Sequence, residues 1–256
     1  MNPASQYASD QNLRARQWLW ERQEPAFDVV TWTLDLAGVT QGLRVLDVGC
    51  GNGRYLVAMR ALGVDAVGCD LSVGMLKAGA KEDVVAADAV ALPFPAGQFD
   101  IVLAPHMLYH VFDRNSAALE LRRILASGGR CIAVANGAGH LASLRAVVQE
   151  AAASFQPEWA WVDRLAEMFS LENGGEQLSG AFDDVHCARP AGPLRAVVTD
   201  PEVIAGYVAS VGDIYGRELT RSWDRLVEDV RARVAEVIGL QGVFVVEGDV
   251  GAFVCS

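Results

Sequence analysis

Four short stretches of this 256-residue chain carry side chains whose types and spacing could do chemistry. The first is Val45-Leu-Asp-Val-Gly-Cys-Gly-Asn-Gly53, a G-x-G-x-G loop placed where a buried strand would turn into a helix. Glycine lets the backbone turn tightly and lets a ligand approach where a Cβ would otherwise stand. The spacing is not the G-x-G-x-x-G of dinucleotide enzymes, and no Gly-Lys-Ser/Thr follows as in a phosphate-binding P-loop. Asp70 stands roughly 20 residues later, at the end of a second strand, where a carboxylate can accept both hydroxyls of a ribose. Asp88 ends a third strand in Ala86-Ala-Asp-Ala89 and can accept an exocyclic adenine amine. Alone, the loop has a purely structural reading and each carboxylate reads as an exposed turn residue. The fourth stretch, Pro105-His-Met-Leu-Tyr-His110, holds two imidazoles that are neutral near pH 7 and able to take a proton. His106 and His110 are spaced i, i+4, as metal ligands on a helix can be, but no Glu follows His106 and no cysteine cluster supports a metal, so no metal is expected.

The elements that must position these residues alternate. Leu43–Val48, Ala66–Cys69, Val84–Ala87, Phe99–Ala104 and Cys131–Ala135 read as five short apolar strands. Between them, helices are expected from about Arg54 to Leu62, from Ser72 to about Ala80, and from Asn115 or Ser116 to a stop at Gly128-Gly129. That alternation predicts parallel β-α units and a doubly wound sheet. Before it, Asp10 can cap a helix running to about Gln23, and a second helix spans Phe27 to Ala37. After it, helices are expected at Leu141–Ala153, Leu178–Phe182, Pro201–Val211 and Arg217–Ile238. Val185–Ala188 is expected as a sixth strand and Leu194–Val198 as another. Val243–Val246 and Ala252–Cys255 flank Glu247-Gly-Asp-Val-Gly and predict a closing hairpin or bent strand.

Val45–Gly53, Gly68-Cys-Asp-Leu-Ser72, Ala87-Asp-Ala89 and Phe99–Val111 together resemble, in order and spacing, the motifs of class I S-adenosylmethionine-dependent methyltransferases. The resemblance covers roughly residues 40–136; beyond it, Phe169-Ser-Leu-Glu-Asn-Gly174 and Val198-Thr-Asp-Pro201 resemble a small bacterial subgroup, taken as the small-molecule type. The resemblance implies an α/β, Rossmann-like, doubly wound, seven-stranded and mostly parallel sheet, with a helical N-terminal lid and a cap inserted after strand 5. In that parse 1–40 is the lid, 41–136 the cofactor-binding core, 137–242 the cap and 243–256 the closing strands of one domain. S-adenosyl-L-methionine is the implied cofactor and S-adenosyl-L-homocysteine the product. Gly49, Gly51 and Gly53 would wrap its methionine part, with Asp47 stabilising the loop and the amino end. Asp70 would hold the ribose, Leu71 would lie against the adenine, and Asp88 and Ala89 would meet the adenine edge. The backbone at Ala104 and Pro105 would sit near the amino group or sulfonium, and Tyr7 on the lid would close over the cofactor. The loop after strand 4 faces the methyl group in this fold, which makes His106 and His110 candidate bases and Tyr109 a substrate contact. His106 packing against the cofactor without proton chemistry is the alternative. Trp18 and Trp20 are two apart and leave a helix on different faces, so one of them, assigned as Trp20, is expected in the substrate pocket.

Composition narrows the acceptor. Hydrophobic residues make up 52% and charged residues 21%, which excludes a largely disordered chain. No run is apolar enough for a membrane span and the N-terminus lacks a signal-peptide core, so a cytoplasmic enzyme is expected. Five cysteines without C-x-x-C spacing read as reduced and mostly buried. The net charge of −11 disfavours nucleic acid as a partner. Residues 156–215 hold ten acids against three bases, an acidic cap that could draw in a cationic acceptor or simply be a solvated surface. The leading expectation is methyl transfer to a small organic acceptor at O, N or C, in specialised metabolism. An RNA or protein target, and a non-catalytic cofactor-binding protein, are the alternatives. The sequence leaves monomer or homodimer open.

Overall fold

Apolar strands that alternate sides can build a sheet buried on both faces. In the computed structural model, which describes residues 11–78, 83–161, 164–216, 219 and 222–256, that sheet has seven strands in the order β3-β2-β1-β4-β5-β9-β6. These are β1 (Arg44–Val48), β2 (Asp65–Asp70), β3 (Val84–Ala86), β4 (Phe99–Pro105), β5 (Leu125–Asn136), β6 (Val185–Ala188) and β9 (Val250–Cys255). Strands β1 to β5 pair in parallel, and β9 runs antiparallel between β5 and β6. Successive residues feed opposite faces. Val45, Ile101 and Leu103 join the core under α2 (Val29–Ala37) and α3 (Arg54–Ala61). Leu46, Val102 and Ala104 join the core under α5 (Arg114–Ile124). The short α4 (Val73–Ala78) lies between β2 and β3.

A second, two-stranded antiparallel sheet pairs β7 (Leu194–Val198) with β8 (Phe244–Gly248). It packs with α1 (Gln11–Trp20), α6 (Ala142–Ala153), α9 (Pro201–Ala209) and α11 (Trp223–Gln241) around Leu19, Leu144, Val198, Ile204, Leu226 and Val246. This is the cap. The remaining helices are short: α7 (Arg164–Met168), α8 (Gly174–Leu178) and α10 (Gly212–Tyr215). Ends are set by caps. Asp28 accepts from Val30 N–H at the start of α2, Asp200 from Glu202 N–H at the start of α9, and Ser222 from Arg225 N–H at the start of α11.

Several expected boundaries move. Helix α5 stops at Ile124 rather than at Gly128-Gly129, and β5 begins at once. Leu125 pairs with Phe99 and Arg130 with Ile101, so the glycine pair sits in a bulge of the strand. A Cβ at Gly129 would stand 2.8 Å from the Asp100 carbonyl oxygen, so the close backbone approach uses the glycine. The helix expected at Leu178–Phe182 lies one turn earlier, as α8. The helix expected at Arg217–Ile238 begins at Trp223. Residues 243–256 do not form a hairpin: β8 belongs to the cap sheet and β9 to the main sheet. Nor is 137–242 all cap. Phe169, Leu178 and Phe182 pack into the main core and β6 is the edge of the main sheet. All five cysteines are free; Cys50, Cys69, Cys131 and Cys255 are buried and Cys187 is exposed. Among the described residues, no helix is long and apolar enough to cross a membrane.

Candidate functional site

In a parallel α/β sheet, loops at the carboxyl ends of the strands leave a crevice where ligands bind. Here Gly49 after β1, Asp70 ending β2, Ala87–Ala89 after β3, Pro105 ending β4 and Asn136 ending β5 all line one cavity of about 720 Å3. Its far walls come from α1, Trp161, α9 and α10. The volume falls in the range of roughly 300–1,000 Å3 usual for small-molecule and cofactor sites.

The glycine loop is held from below. Gly49 N–H and Cys50 N–H both donate to the Cys69 carbonyl, at 2.7 and 3.0 Å. Gly49, Gly51 and Gly53 have φ of 71°, 55° and 81°, the left-handed region in which a side chain is strained. A Cβ at Gly49 would approach Met107 Cβ to 2.6 Å, so this glycine also lets the β4 loop pack close. Asp70 accepts from Gly51 N–H and Ser72 N–H, both at 2.8 Å, one on each oxygen. Each oxygen keeps a lone pair for a ligand hydroxyl. Burial pushes the Asp70 carboxyl up, against the lowering by those two amides.

Asp47 sits fully buried in β1 and neither of its oxygens has a hydrogen-bond partner among the described residues. Burial, then the neighbouring Asp70 charge, pushes its carboxyl well above the ordinary range. A buried carboxylate left this way is costly unless a donor arrives. An ammonium group or a water carried in with a ligand is such a donor, so the residues present fit an amino-acid-bearing cofactor. Asp88 is exposed, lines the cavity and accepts from Val90 N–H on one oxygen. Ala89 is buried beside it and Leu71 stands at the rim.

Three histidines line the other end. His106 follows β4 with φ of 55°, a left-handed conformation that non-glycine residues adopt mainly at functional or strained positions. Its N–H donates to the Val134 carbonyl at 2.9 Å. Burial, then the Arg54 charge, pulls its imidazole down to about 4. His110 is pulled down to about 4 by burial and the Arg16 charge, and Tyr109 meets it edge-to-face with ring centroids 4.5 Å apart. The third, His140, stacks on Trp20 with centroids 5.0 Å apart and accepts at Nδ1 from Asp249 N–H at 3.3 Å. Burial first, then the His106 and Arg145 charges, takes it down to about 3. All three rings are neutral at pH 7.

Most of the expected site residues thus meet at one cavity: Trp20, Gly49, Gly51, Asp70, Leu71, Asp88, Ala89, Pro105, His106, Tyr109 and His110. Three do not line it. Gly53 is the N-cap of α3 and shapes the turn. Ala104 is fully buried against β5, and the wall position falls to Pro105. Asp47 lies beneath the loop without bonding to it. Tyr7 lies outside the described residues. Trp18 turns outward, under the Arg22 guanidinium. None of the described acids of residues 156–215 lines the cavity; all nine are exposed, so of the two readings of the acidic cap the solvated surface is the one these residues fit. His140 was missed. Its signal was available: Gly137-Ala-Gly-His140 directly follows β5, at the same edge as the other ligand loops. Among the described residues, no three His, Cys, Asp or Glu side chains gather to hold a metal.

Comparison with known proteins agrees with this geometry. Residues 46–133 match the family described as a methyltransferase domain. A demethylmenaquinone methyltransferase of Renibacterium salmoninarum is 37% identical over 103 residues, 39% of this chain and 44% of that protein. A ubiquinone biosynthesis O-methyltransferase of Bordetella avium is 40% identical over 131 residues, 46% of this chain and 54% of that one. The chain therefore spans about half the length of these curated relatives. Among solved structures, a protein described as a methyltransferase from an antibiotic biosynthesis pathway of Anabaena variabilis aligns with a TM-score of 0.64 at 16% identity, covering 89% of this chain and 96% of that one. The motif-bearing segment thus matches a methyltransferase domain, and the chain shares the Rossmann-like fold of its structural neighbours.

Proposed function

We infer that the protein transfers a methyl group from S-adenosyl-L-methionine to a small organic acceptor, in the cytoplasm. The observation that carries this reading is the single cavity running from the glycine loop and Asp70 past His106 to a chamber walled by cap residues. When bound, the cofactor supplies an activated methyl group on a sulfonium. The chain's own residues do the rest. Gly49 and Gly51 leave room for the methionine part, and the orphaned Asp47 carboxylate receives its amino end through water. Asp70 would accept the ribose hydroxyls, Asp88 would accept the adenine amine with Ala89 beside it at the adenine edge, and Leu71 would lie against the base. Pro105 and His106 wall the methyl position. Holding an acceptor in line there can lower the barrier by several kcal/mol, up to roughly 7–11 in ideal cases. For a hydroxyl acceptor, neutral His106 takes the proton, with His110 the second candidate. Trp20 and Tyr109 bound the acceptor.

A cap-walled chamber suits a small molecule better than a polymer. Methyl-labelled S-adenosylmethionine, incubated with the protein and separated small-molecule, RNA and protein fractions of a source extract, tests this. Label in the small-molecule fraction is expected. Label confined to RNA or protein would move the target to a macromolecule.

A further inference from the structure

His140 has no place in the sequence motifs, yet its ring is held on two sides. Trp20 stacks on one face. The Asp249 amide hydrogen occupies Nδ1. A neutral imidazole whose Nδ1 accepts must carry its hydrogen on Nε2. Among the described residues nothing accepts from Nε2, and the residue lines the cavity. Its chemistry is therefore opposite to that of His106: it offers a proton in a hydrogen bond and cannot take one. Around it the chamber is aromatic. Trp161 lies over Tyr215 with ring centroids 4.2 Å apart, and Phe169 and Tyr207 complete the wall. From residue 136 onward, the charged side chain lining the cavity is Arg145, which donates to the Ala138 carbonyl at 2.6 Å. No acid among those described residues faces a cation there, and a buried cation without one is costly.

We propose that His140 is a fixed hydrogen-bond donor that selects the acceptor, and that the chamber takes a planar, non-cationic molecule presenting a carbonyl, ether or hydroxyl oxygen to His140 Nε2. The proposal rests on the methyl-transfer reading only for the word acceptor. A site that hydrogen-bonds a ligand oxygen discriminates against the analogue lacking it, because the donor is then left unpaired.

The test uses two probes of nearly the same shape, 2-acetylnaphthalene and 2-isopropenylnaphthalene, which differ in a carbonyl oxygen against a methylene. Calorimetric titrations are run on the wild-type protein saturated with S-adenosylhomocysteine, and on His140→Phe and His140→Gln. Wild type should bind the ketone at least about tenfold tighter than the hydrocarbon. His140→Phe, which keeps a ring on Trp20, should bring that ratio to about one and leave hydrocarbon affinity within about twofold. His140→Gln, which keeps a donor, should restore part of the preference. Equal binding of the two probes by wild type, a preference that survives in His140→Phe, or no binding of either probe would overturn the proposal. Nitrogen-15 spectra of histidine-labelled protein should show the Nε2–H form of His140, and the Nδ1–H form would overturn it equally. Titration of S-adenosylhomocysteine alone decides the methyl-transfer reading separately. Should it fail to bind, the probe ratio measured on the unloaded protein still decides the role of His140.

Discussion

The backbone amide of Asp249 donates to Nδ1 of His140 across 3.3 Å, joining the corner between β8 and β9 to the turn that follows β5. The same aspartate binds that turn twice more. Its carbonyl accepts from Gly137 N–H at 3.0 Å and its carboxylate from Gly139 N–H at 3.0 Å. Arg189, just beyond β6, pairs with the carboxylate. Three segments far apart in sequence therefore fix one imidazole.

Gly137 is where this corner is most easily broken. A Cβ there would stand inside the Asp249 carboxylate. Gly137→Ala should destabilise the fold by about 1–3 kcal/mol, the usual cost of overpacking. Acceptor turnover should fall while S-adenosylhomocysteine affinity is kept. Denaturant titration and calorimetry check both halves, and an unchanged midpoint would show the corner to be slack.

Asp70 carries two loop amides and faces the ligand, so Asp70→Ala removes both functions. Cofactor affinity should weaken by about 1–3 kcal/mol, the scale of a lost charge-assisted hydrogen bond. Titration calorimetry with S-adenosylmethionine reads this directly, and an unchanged Kd would take Asp70 out of the site.

Asp47 should show the opposite balance. Its carboxyl is raised, so the folded state holds a proton that the unfolded state has released, and stability falls as pH rises from about 3.8 through the raised value. Asp47→Asn removes that charge. The variant should melt higher at pH 7, by an amount on the order of 1–3 kcal/mol, while binding the cofactor more weakly. A lower melting temperature would mean that the carboxylate stabilises the loop.

For proton transfer, His106→Ala and His110→Ala should lower turnover more than cofactor affinity. Loss of a true base costs about 10²–10⁴-fold in kcat. Because both rings titrate near 4, wild-type turnover should stay level from pH 8 to 6 and fall only as pH approaches 4. A fall centred near 6.5 would mean that the working histidine is open to solvent. Wild-type rates in both variants would reject the histidine-base reading.

Stability should depend on pH through His140 as well. Its folded value lies near 3, below the ordinary 6.5, so between those values the unfolded chain binds the extra proton. The contribution is complete above pH 6.5 and is lost as pH falls towards 3. Relative to His140→Phe, wild type should therefore lose stability steadily from pH 6.5 to 4.5 in urea titrations. Parallel curves for the two proteins would place the His140 ring in water.

The wall positions at the ends of the first four strands were legible because local signals define them. Each strand is a short apolar run; the turns after β1, β2 and β3 are marked by glycine or by an aspartate, and the one after β4 by Pro105-His106. What was not legible depends on partners distant in sequence. Gly128-Gly129 reads as a helix stop, yet the pairing of Arg130 with Ile101 draws it into β5 as a bulge. Val185–Ala188 reads as a strand, but its partner does not: it pairs with β9, some 65 residues later. Val243–Val246 and Ala252–Cys255 are close enough for a hairpin, but their partners are β7 and β5 in different sheets. The ten acids of residues 156–215 gave a net charge and no direction, and the described ones face outward. His140 shows its meaning only once Trp20 and Asp249 lie beside it.

Because β8 leaves the cap sheet at Gly248 and β9 enters the main sheet at Val250, a single residue separates the two layers. The cap is therefore not a detachable module. Transplanting it onto a sister scaffold would require splices after α1, after β5, between α6 and α8, between β6 and β7, and at Asp249, and the last of these cuts beneath the imidazole itself. New acceptor preferences in this lineage should arise through side-chain replacement on the chamber wall more readily than through recombination of whole segments.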